Sequence, residues 1–149
     1  MIEEIHARLA SVAAGEGLPL RDLGEQAMRP NTFRAHRLLT AALQAGPEVQ
    51  QALADGLFHA YWAEGLDVGD PDVLAGLAEA AGLPAARARE VLSGEDFSGE
   101  VRAEERRAQE SGIRAVPTFV IGGRFAVSGA QPPDALAQAV RHALGAGGS

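Results

Sequence analysis

The chain has no cysteine among its 149 residues, so its own side chains form no disulfide, thiolate nucleophile or zinc–thiolate site. Lysine is absent too: all 13 basic residues are arginine, which excludes a Schiff-base lysine and a P-loop lysine. No apolar run approaches the roughly 18 residues that a membrane span needs. The start Met1-Ile2-Glu3-Glu4 lacks the basic and apolar regions of a secretory signal, so we expect a cytoplasmic protein.

The charge balance is acidic, with a formal net charge of −7. Because nucleic acids and anionic membranes are bound through basic faces, we expect neither as a partner. The histidines His6, His36, His59 and His142 show no metal-ligand spacing such as His-Glu-x-x-His, and no glycine-rich phosphate loop occurs. We therefore expect no metal and no cofactor.

Apolar residues recur at helical spacing through most of the first 111 residues, between glycine and proline stop signals. Asn31 is a suitable N-cap, and Asp70-Pro71 is an N-cap followed by proline at the first helical position. The predicted helices cover about 2–14, 31–45, 47–64, 72–81, 84–92, 97–111 and 134–144, with a helical turn in 22–28 and a frayed tail after 145.

The same spacing indicates which side chains face the core. In the second helix these are Leu38, Leu39, Ala42 and Leu43. In the polar helix 97–111, whose charged run is typical of a solvated face, we expect mainly Val101, with Ala103 and Ala108 beside it. Tyr61 and Trp62 follow Leu57 and Phe58, and packing in the core is favoured over a role in stacking on a ligand.

A β-hairpin is predicted near the C-terminus, because Val116–Ile121 and Arg124–Val127 are short apolar runs separated by Gly122-Gly123. Pro117 opens the first run. Taken alone, Val116-Pro117 is compatible with a trans proline at an edge strand or with a cis bond. The order of elements is thus several helices, one hairpin and one terminal helix.

This string, from Gly112-Ile113 through Val116-Pro117-Thr118-Phe119 to Ser128-Gly129, resembles the C-terminal part of the thioredoxin fold in DsbA-like oxidoreductases. It is most similar to their cytoplasmic FrnE-like branch. Further matching motifs are Asn31-Thr32, Ala35-His36-Arg37-Leu38, Ala60-Tyr61-Trp62-Ala63-Glu64-Gly65, Asp67-Val68-Gly69-Asp70 and Val127-Ser128-Gly129-Ala130-Gln131.

The resemblance implies an α/β fold: a mostly helical C-terminal portion of a DsbA-like thioredoxin fold. A helical insertion subdomain would occupy 1–111, the cis-proline hairpin and terminal helix of the core 112–145, and a tail 146–149. Members of the family begin with a strand, a Cys-x-x-Cys helix and a second strand, and the chain begins at what corresponds to the insertion. Both catalytic cysteines therefore have no counterpart here.

The resemblance also implies a cis Val116–Pro117 bond beside the cysteines of a complete member, where the backbone before the proline pairs with substrate polypeptide. Val116 and Pro117 are thus candidate substrate-contact residues, although without a cysteine helix the loop is equally an exposed strand end. Asn31 and His36 are candidates on the insertion side. His36 either lines the cleft towards the thioredoxin core or hydrogen-bonds a helix end.

Three functions follow as hypotheses. The first is a protein related to thiol–disulfide oxidoreductases that is not redox-active alone, with thiol or disulfide proteins as substrates. The second is a glutathione-dependent protein similar to 2-hydroxychromene-2-carboxylate isomerase or kappa-class glutathione transferases. The third is a non-catalytic interaction module. Because a lone hairpin has an open edge, we expect a homodimer, a Cys-x-x-Cys partner or poor stability.

Overall fold

A computed structural model describes residues 2–21 and 30–145. These form two compact units, residues 1–102 and 103–149, and each is described by itself. The elements in chain order are α1 Ile2–Gly15, α2 Phe33–Ala45, α3 Pro47–His59, a π-helix Ala60–Glu64, α4 Pro71–Ala80, α5 Ala85–Ser93, α6 Ser98–Glu110, β1 Thr118–Ile121, β2 Phe125–Ser128 and α7 Pro133–Gly145.

This order confirms the predicted α/β arrangement of several helices, one antiparallel hairpin and a terminal helix. The long helix predicted over 47–64 ends as an α-helix at His59 and continues as the π-helix. The first strand begins at Thr118, and the second covers Phe125–Ser128. The turn predicted in 22–28 and the tail 146–149 lie outside the described residues.

The core of the first unit lies among helices α2 to α5. Its largest fully buried side chains are Leu38, Leu53, Leu74 and Val91, one from each of these four helices. Burying a leucine or valine completely contributes about 1.5–3 kcal/mol. These contacts therefore hold the first unit together.

The prediction that Leu43 faces the core is wrong, because Leu43 is 49% exposed. On α3, Phe58 is 63% exposed. The buried stripe of α2 runs from Ala35 through Leu38 to Ala41 and Ala42, and Leu43 lies outside that stripe. In α3 the buried residues are Leu53 and Leu57. Since neighbouring residues point about 100° apart on a helix, Phe58 turns away from the side that Leu57 buries.

The start of α4 follows the predicted cap. The Asp70 carboxylate accepts hydrogen bonds from the backbone N–H groups of Asp72 at 2.8 Å and Val73 at 3.2 Å. Pro71 occupies the first helical position, where no N–H is needed. The cap thus satisfies two of the N–H donors that a helix start leaves free.

A buried arginine, Arg37 on α2, joins this core to the segment after α5. Its side chain is only 4% exposed. Nη2 donates to the carbonyl oxygens of Val91 at 2.5 Å and Gly94 at 2.6 Å, and Nε donates to Asp96 O at 2.7 Å. Arginine has five N–H donors in a rigid fork, so one side chain satisfies two carbonyls at the end of α5 and a third in the turn that follows it.

The turn between α5 and α6 carries a strained residue. Phe97 is a buried non-glycine residue with φ of +63°, a conformation that costs about 1–3 kcal/mol. Arg87 bridges Glu90 at 2.8 Å and Asp96 at 2.7 Å, and its guanidinium lies 5.4 Å from the Phe97 ring centroid. Those hydrogen bonds raise the pKa of Arg87 above its ordinary value. Arg37 and Arg87 thus hold both sides of Asp96, next to the strained position.

Within the described ranges, no helix is long and apolar enough to cross a membrane.

The role of Arg37 is tested by Arg37→Met, which keeps most of the side chain's volume and removes its donors. We expect the free energy of unfolding to fall by about 2–4 kcal/mol, because three carbonyls lose their partner. The measurement is urea unfolding followed by circular dichroism at 222 nm. Arg34→Met on the same helix is the control, since Arg34 is exposed. Equal losses for the two variants would contradict this role.

Candidate functional site: the proline loop and its hairpin

The loop before the hairpin begins at a defined helix end. The N–H of Gly112 donates to Gln109 O and the N–H of Ile113 donates to Ala108 O, both at 3.0 Å, a Schellman pair of bonds. Gly112 has φ of +76°, which glycine adopts without a steric cost. The chain leaves α6 at this point and reaches β1 through residues 113–117.

Two hydrogen bonds fix the end of this loop. Thr118 Oγ1 donates to Ala115 O at 2.7 Å, and the N–H of Gly129 donates to Pro117 O at 2.8 Å. The Val116–Pro117 peptide bond is cis. The carbonyl groups of Ala115 and Pro117, the two neighbours of Val116, are therefore fixed by hydrogen bonds within the second unit.

Val116 itself is presented to solvent. Among the large apolar residues that the structure describes, Val116 is the most exposed, at 90%. Across the described residues its backbone N–H and C=O make no hydrogen bond. An extended polypeptide that reached this position would thus find both an apolar side chain and two free backbone groups.

The hairpin leaves a row of backbone groups free along β1. Phe119 pairs with Val127. Two residues earlier, Pro117 O accepts a hydrogen bond from Gly129, so the pairs 117/129 and 119/127 are both of the hydrogen-bonded kind. In an antiparallel ladder, hydrogen-bonded pairs alternate with non-hydrogen-bonded pairs. The N–H and C=O groups of Thr118 and Val120 therefore point away from β2, towards the open edge of the two-stranded sheet.

One face of the hairpin is covered by α7. Phe125 makes an edge-to-face contact with His142 of α7, with 5.4 Å between ring centroids. Side chains on one face recur every second residue, so Phe119, Ile121 and Val127 share the face of Phe125. The opposite face carries Val120, which is 56% exposed.

The second unit lacks a buried core. None of the residues described from 103 to 145 is buried, and α7 has no buried residue at all. The apolar residues exposed there include Val116, Phe119, Val120, Val140 and Leu144. A two-stranded hairpin is only marginally stable unless other elements cover it. The site is therefore an apolar, open-edged surface.

The turn of the hairpin matches its sequence. Gly122 and Gly123 have φ of +60° and +67°, and the N–H of Arg124 donates to Ile121 O at 3.3 Å. Residues with side chains rarely adopt this conformation, so two glycines suit the turn.

The other two predicted site residues, Asn31 and His36, belong to the first unit. Asn31 Oδ1 accepts the Phe33 N–H at 3.0 Å, so its side chain caps the start of α2. His36 is exposed and lies on the wall of an apolar cavity. Its imidazole makes no hydrogen bond to any described residue, so the helix-end partner that the sequence offered as an alternative is not found. Substrate binding by Val116, Pro117, Asn31 and His36 stays a prediction.

Two features of the first unit were missed from the sequence. One is the π-helix at Ala60–Glu64, and the other is the cavity beside it, which Tyr61 and Trp62 line. The aromatic pair was the available signal, although helical spacing favoured the core. Tyr61 and Trp62 are half-buried, with their rings edge-to-face at 4.9 Å.

No group of three or more potential metal ligands occurs in the described part of the chain.

The family model of the DSBA-like thioredoxin domain matches residues 1–141. A search of the curated proteins finds no match.

Two solved structures are similar. A probable DsbA oxidoreductase from Streptomyces coelicolor is 37% identical with a TM-score of 0.84, over 94% of this chain and 59% of that one. The chain thus spans less than two thirds of this relative's length. A putative protein disulfide isomerase from Nitrosomonas europaea is 22% identical with a TM-score of 0.78, over 98% and 74%. At that identity the likeness concerns the fold alone.

The free edge of β1 predicts a pattern of amide hydrogen exchange. The N–H groups of Phe119 and Val127 lie in the ladder, whereas those of Thr118 and Val120 point outwards. At low protein concentration we expect the amides of Phe119 and Val127 to exchange at least about tenfold more slowly than those of Thr118 and Val120, as measured by NMR. Equal rates, or slower exchange at Thr118 and Val120, would show that the hairpin has another register or that its edge is covered.

Proposed function

The chain belongs to the DSBA-like thioredoxin domain family, and on that basis we propose that it supplies the substrate-binding loop of a thiol–disulfide exchange site. The thiols of that site come from a polypeptide with a Cys-x-x-Cys motif. The observation that carries the proposal is the exposed Val116, with free backbone groups beside Pro117, in a chain that contains no cysteine.

Thiol–disulfide exchange and binding of the substrate backbone are separate tasks that different polypeptide segments can perform. In thiol–disulfide exchange a thiolate attacks one sulfur of a disulfide, forms a mixed disulfide and releases the other sulfur as a thiolate. No side chain here can attack or be attacked in that way. Binding the substrate backbone is a separate task, and free N–H and C=O groups beside an apolar side chain suit it. Residues 112–145 are the part that we assign to this task.

The FrnE-like branch is the finer assignment that we propose. Its support is the set of short motifs spread from Asn31-Thr32 to Val127–Gln131, together with the identity to the Streptomyces coelicolor protein. Members of that branch are cytoplasmic, and we propose the same compartment here.

A second candidate, an interaction module, is favoured by the unburied second unit. A long open strand edge with apolar neighbours pairs readily with another strand. In that case the partner of β1 is a second copy of the chain, and no thiol chemistry is involved. Light scattering separates the two candidates, because only the module forms a homodimer without any Cys-x-x-Cys polypeptide.

Reconstitution tests the main proposal. The partner is a recombinant strand, Cys-x-x-Cys helix and strand unit from the start of a complete family member. We expect neither piece alone to reduce insulin disulfides with dithiothreitol above background, because one has no thiol and the other lacks the binding loop. The mixture should exceed the sum of the two by about tenfold or more, a gain that corresponds to about 1.4 kcal/mol.

The loop variant Val116→Asp sharpens this test. A carboxylate at the contact position is desolvated against the partner, so we expect the gain in the mixture to be lost while circular dichroism stays unchanged. Ala126→Asp, on the exposed outer part of β2, is the matched control and should keep the gain. A mixture no faster than the sum of its pieces would contradict the proposal. Glutathione binding by calorimetry would favour the isomerase and transferase alternative instead.

A further inference from the structure

The first unit contains an apolar cavity to which the proposed exchange function assigns no task. Its volume is about 330 Å³, at the small end of the range for ligand pockets. The wall includes Ala54 and Phe58 from α3, Tyr61 and Trp62 from the π-helix, and His36 from α2. Every one of these residues lies within residues 1–102, so the cavity belongs to one compact unit.

The aromatic side of the cavity includes the start of the π-helix. Phe58, Tyr61 and Trp62 line the cavity together with Leu57 from the buried stripe of α3. A π-helical turn adds one residue per turn, which changes the direction of the side chains that follow it. Short π-helical turns occur often at functional sites. Here the turn places two aromatic rings, edge-to-face at 4.9 Å, on a ligand-sized space.

The polar side of the cavity is formed by Thr32 and His36, one helical turn apart. The backbone N–H of His36 donates to Thr32 O at 3.0 Å, which fixes their spacing. Asn31 supplies the side-chain cap of α2, and the Thr32 hydroxyl makes no capping bond. Neither the Thr32 hydroxyl nor the His36 imidazole has a hydrogen-bond partner in the part of the chain that the structure describes. Two polar groups at an apolar wall are thus available to a ligand.

The electrostatic surroundings permit an anionic head group. The chain carries a net charge of −7, yet no aspartate or glutamate is among the residues that line this cavity. The Thr32 hydroxyl donates a hydrogen bond, and so does one nitrogen of a neutral imidazole. A carboxylate can accept from both groups at once, whereas a cationic head group would find no acidic side chain in this lining.

We propose that this cavity binds a small aromatic acid: one or two fused rings against Phe58, Tyr61 and Trp62, and a carboxylate at Thr32 and His36. The volume suits a molecule of one or two fused rings, and the aromatic wall favours a planar ring over a flexible aliphatic chain. The inference stands on the first unit alone and does not depend on the exchange function proposed for the second.

The chain carries its own reporter for this site. Trp62 is the only tryptophan, so the protein has a single indole N–H signal in a nitrogen–proton correlation spectrum. With 2-naphthoate as the probe, we expect a saturable shift of that signal. In His36→Ala the dissociation constant should rise about tenfold, because the carboxylate loses one charge-assisted hydrogen bond. His142→Ala, in the second unit, should leave the dissociation constant unchanged.

Two further arms locate the ligand. Trp62 also borders an adjoining cavity that Val12 and Leu18 line, whereas Ala54 lines only the first one. Ala54→Phe fills the first cavity and should abolish the shift. The same rings without the carboxylate, as 2-methylnaphthalene, should bind at least tenfold more weakly and be indifferent to His36→Ala. No saturable shift in the wild type overturns the proposal, and so does equal 2-naphthoate binding by His36→Ala or Ala54→Phe.

Discussion

Backbone hydrogen bonds along β1 are made on one side only. The inner groups of Phe119 pair with Val127, while those of Thr118 and Val120 face outwards. On the same surface Val116 is 90% exposed, and α7 covers only the face that Phe125 shares. In water such an arrangement costs little while the groups stay solvated, and an open edge of this kind is able to pair with another strand. The proposed binding of a substrate backbone depends on this open strand edge.

The first unit is constructed differently, around a buried arginine. An unpaired charge in an apolar interior is expensive, and Arg37 avoids that cost by donating to three carbonyls. The same bonds hold the turn in which Phe97 adopts a left-handed conformation. The helical unit thus has a specific interior, whereas the hairpin unit has none among its described residues. The two halves of one chain differ in what each can do without a partner.

Local sequence signals predicted the elements whose determining contacts lie within a few residues along the chain. Asp70-Pro71 specified the start of α4, and Gly122-Gly123 specified the turn between the strands. The apolar runs on either side of these glycines predicted the hairpin, and the family motifs around Val116-Pro117 predicted its thioredoxin type and the cis bond. The burial of Arg37 could not be foreseen, because its partners lie 54 to 59 residues away along the chain. The π-helix also escaped prediction. One extra residue in a turn leaves the apolar spacing nearly unchanged, so the spacing assigned Tyr61 and Trp62 to the core, and their place on the cavity wall was missed.

The central claim is that Val116 lies where the sulfur chemistry of a partner takes place. Since the chain has no cysteine, Val116→Cys creates its single thiol, and mixed-disulfide formation with an oxidised Cys-x-x-Cys unit reports directly on proximity. The reference is Ala126→Cys, at another exposed position. For each variant, the corrected rate is its rate with the Cys-x-x-Cys unit divided by its rate with a small disulfide reagent, which removes differences in thiol reactivity. The account predicts a corrected rate at position 116 about tenfold or more above that at position 126. Equal corrected rates would contradict it.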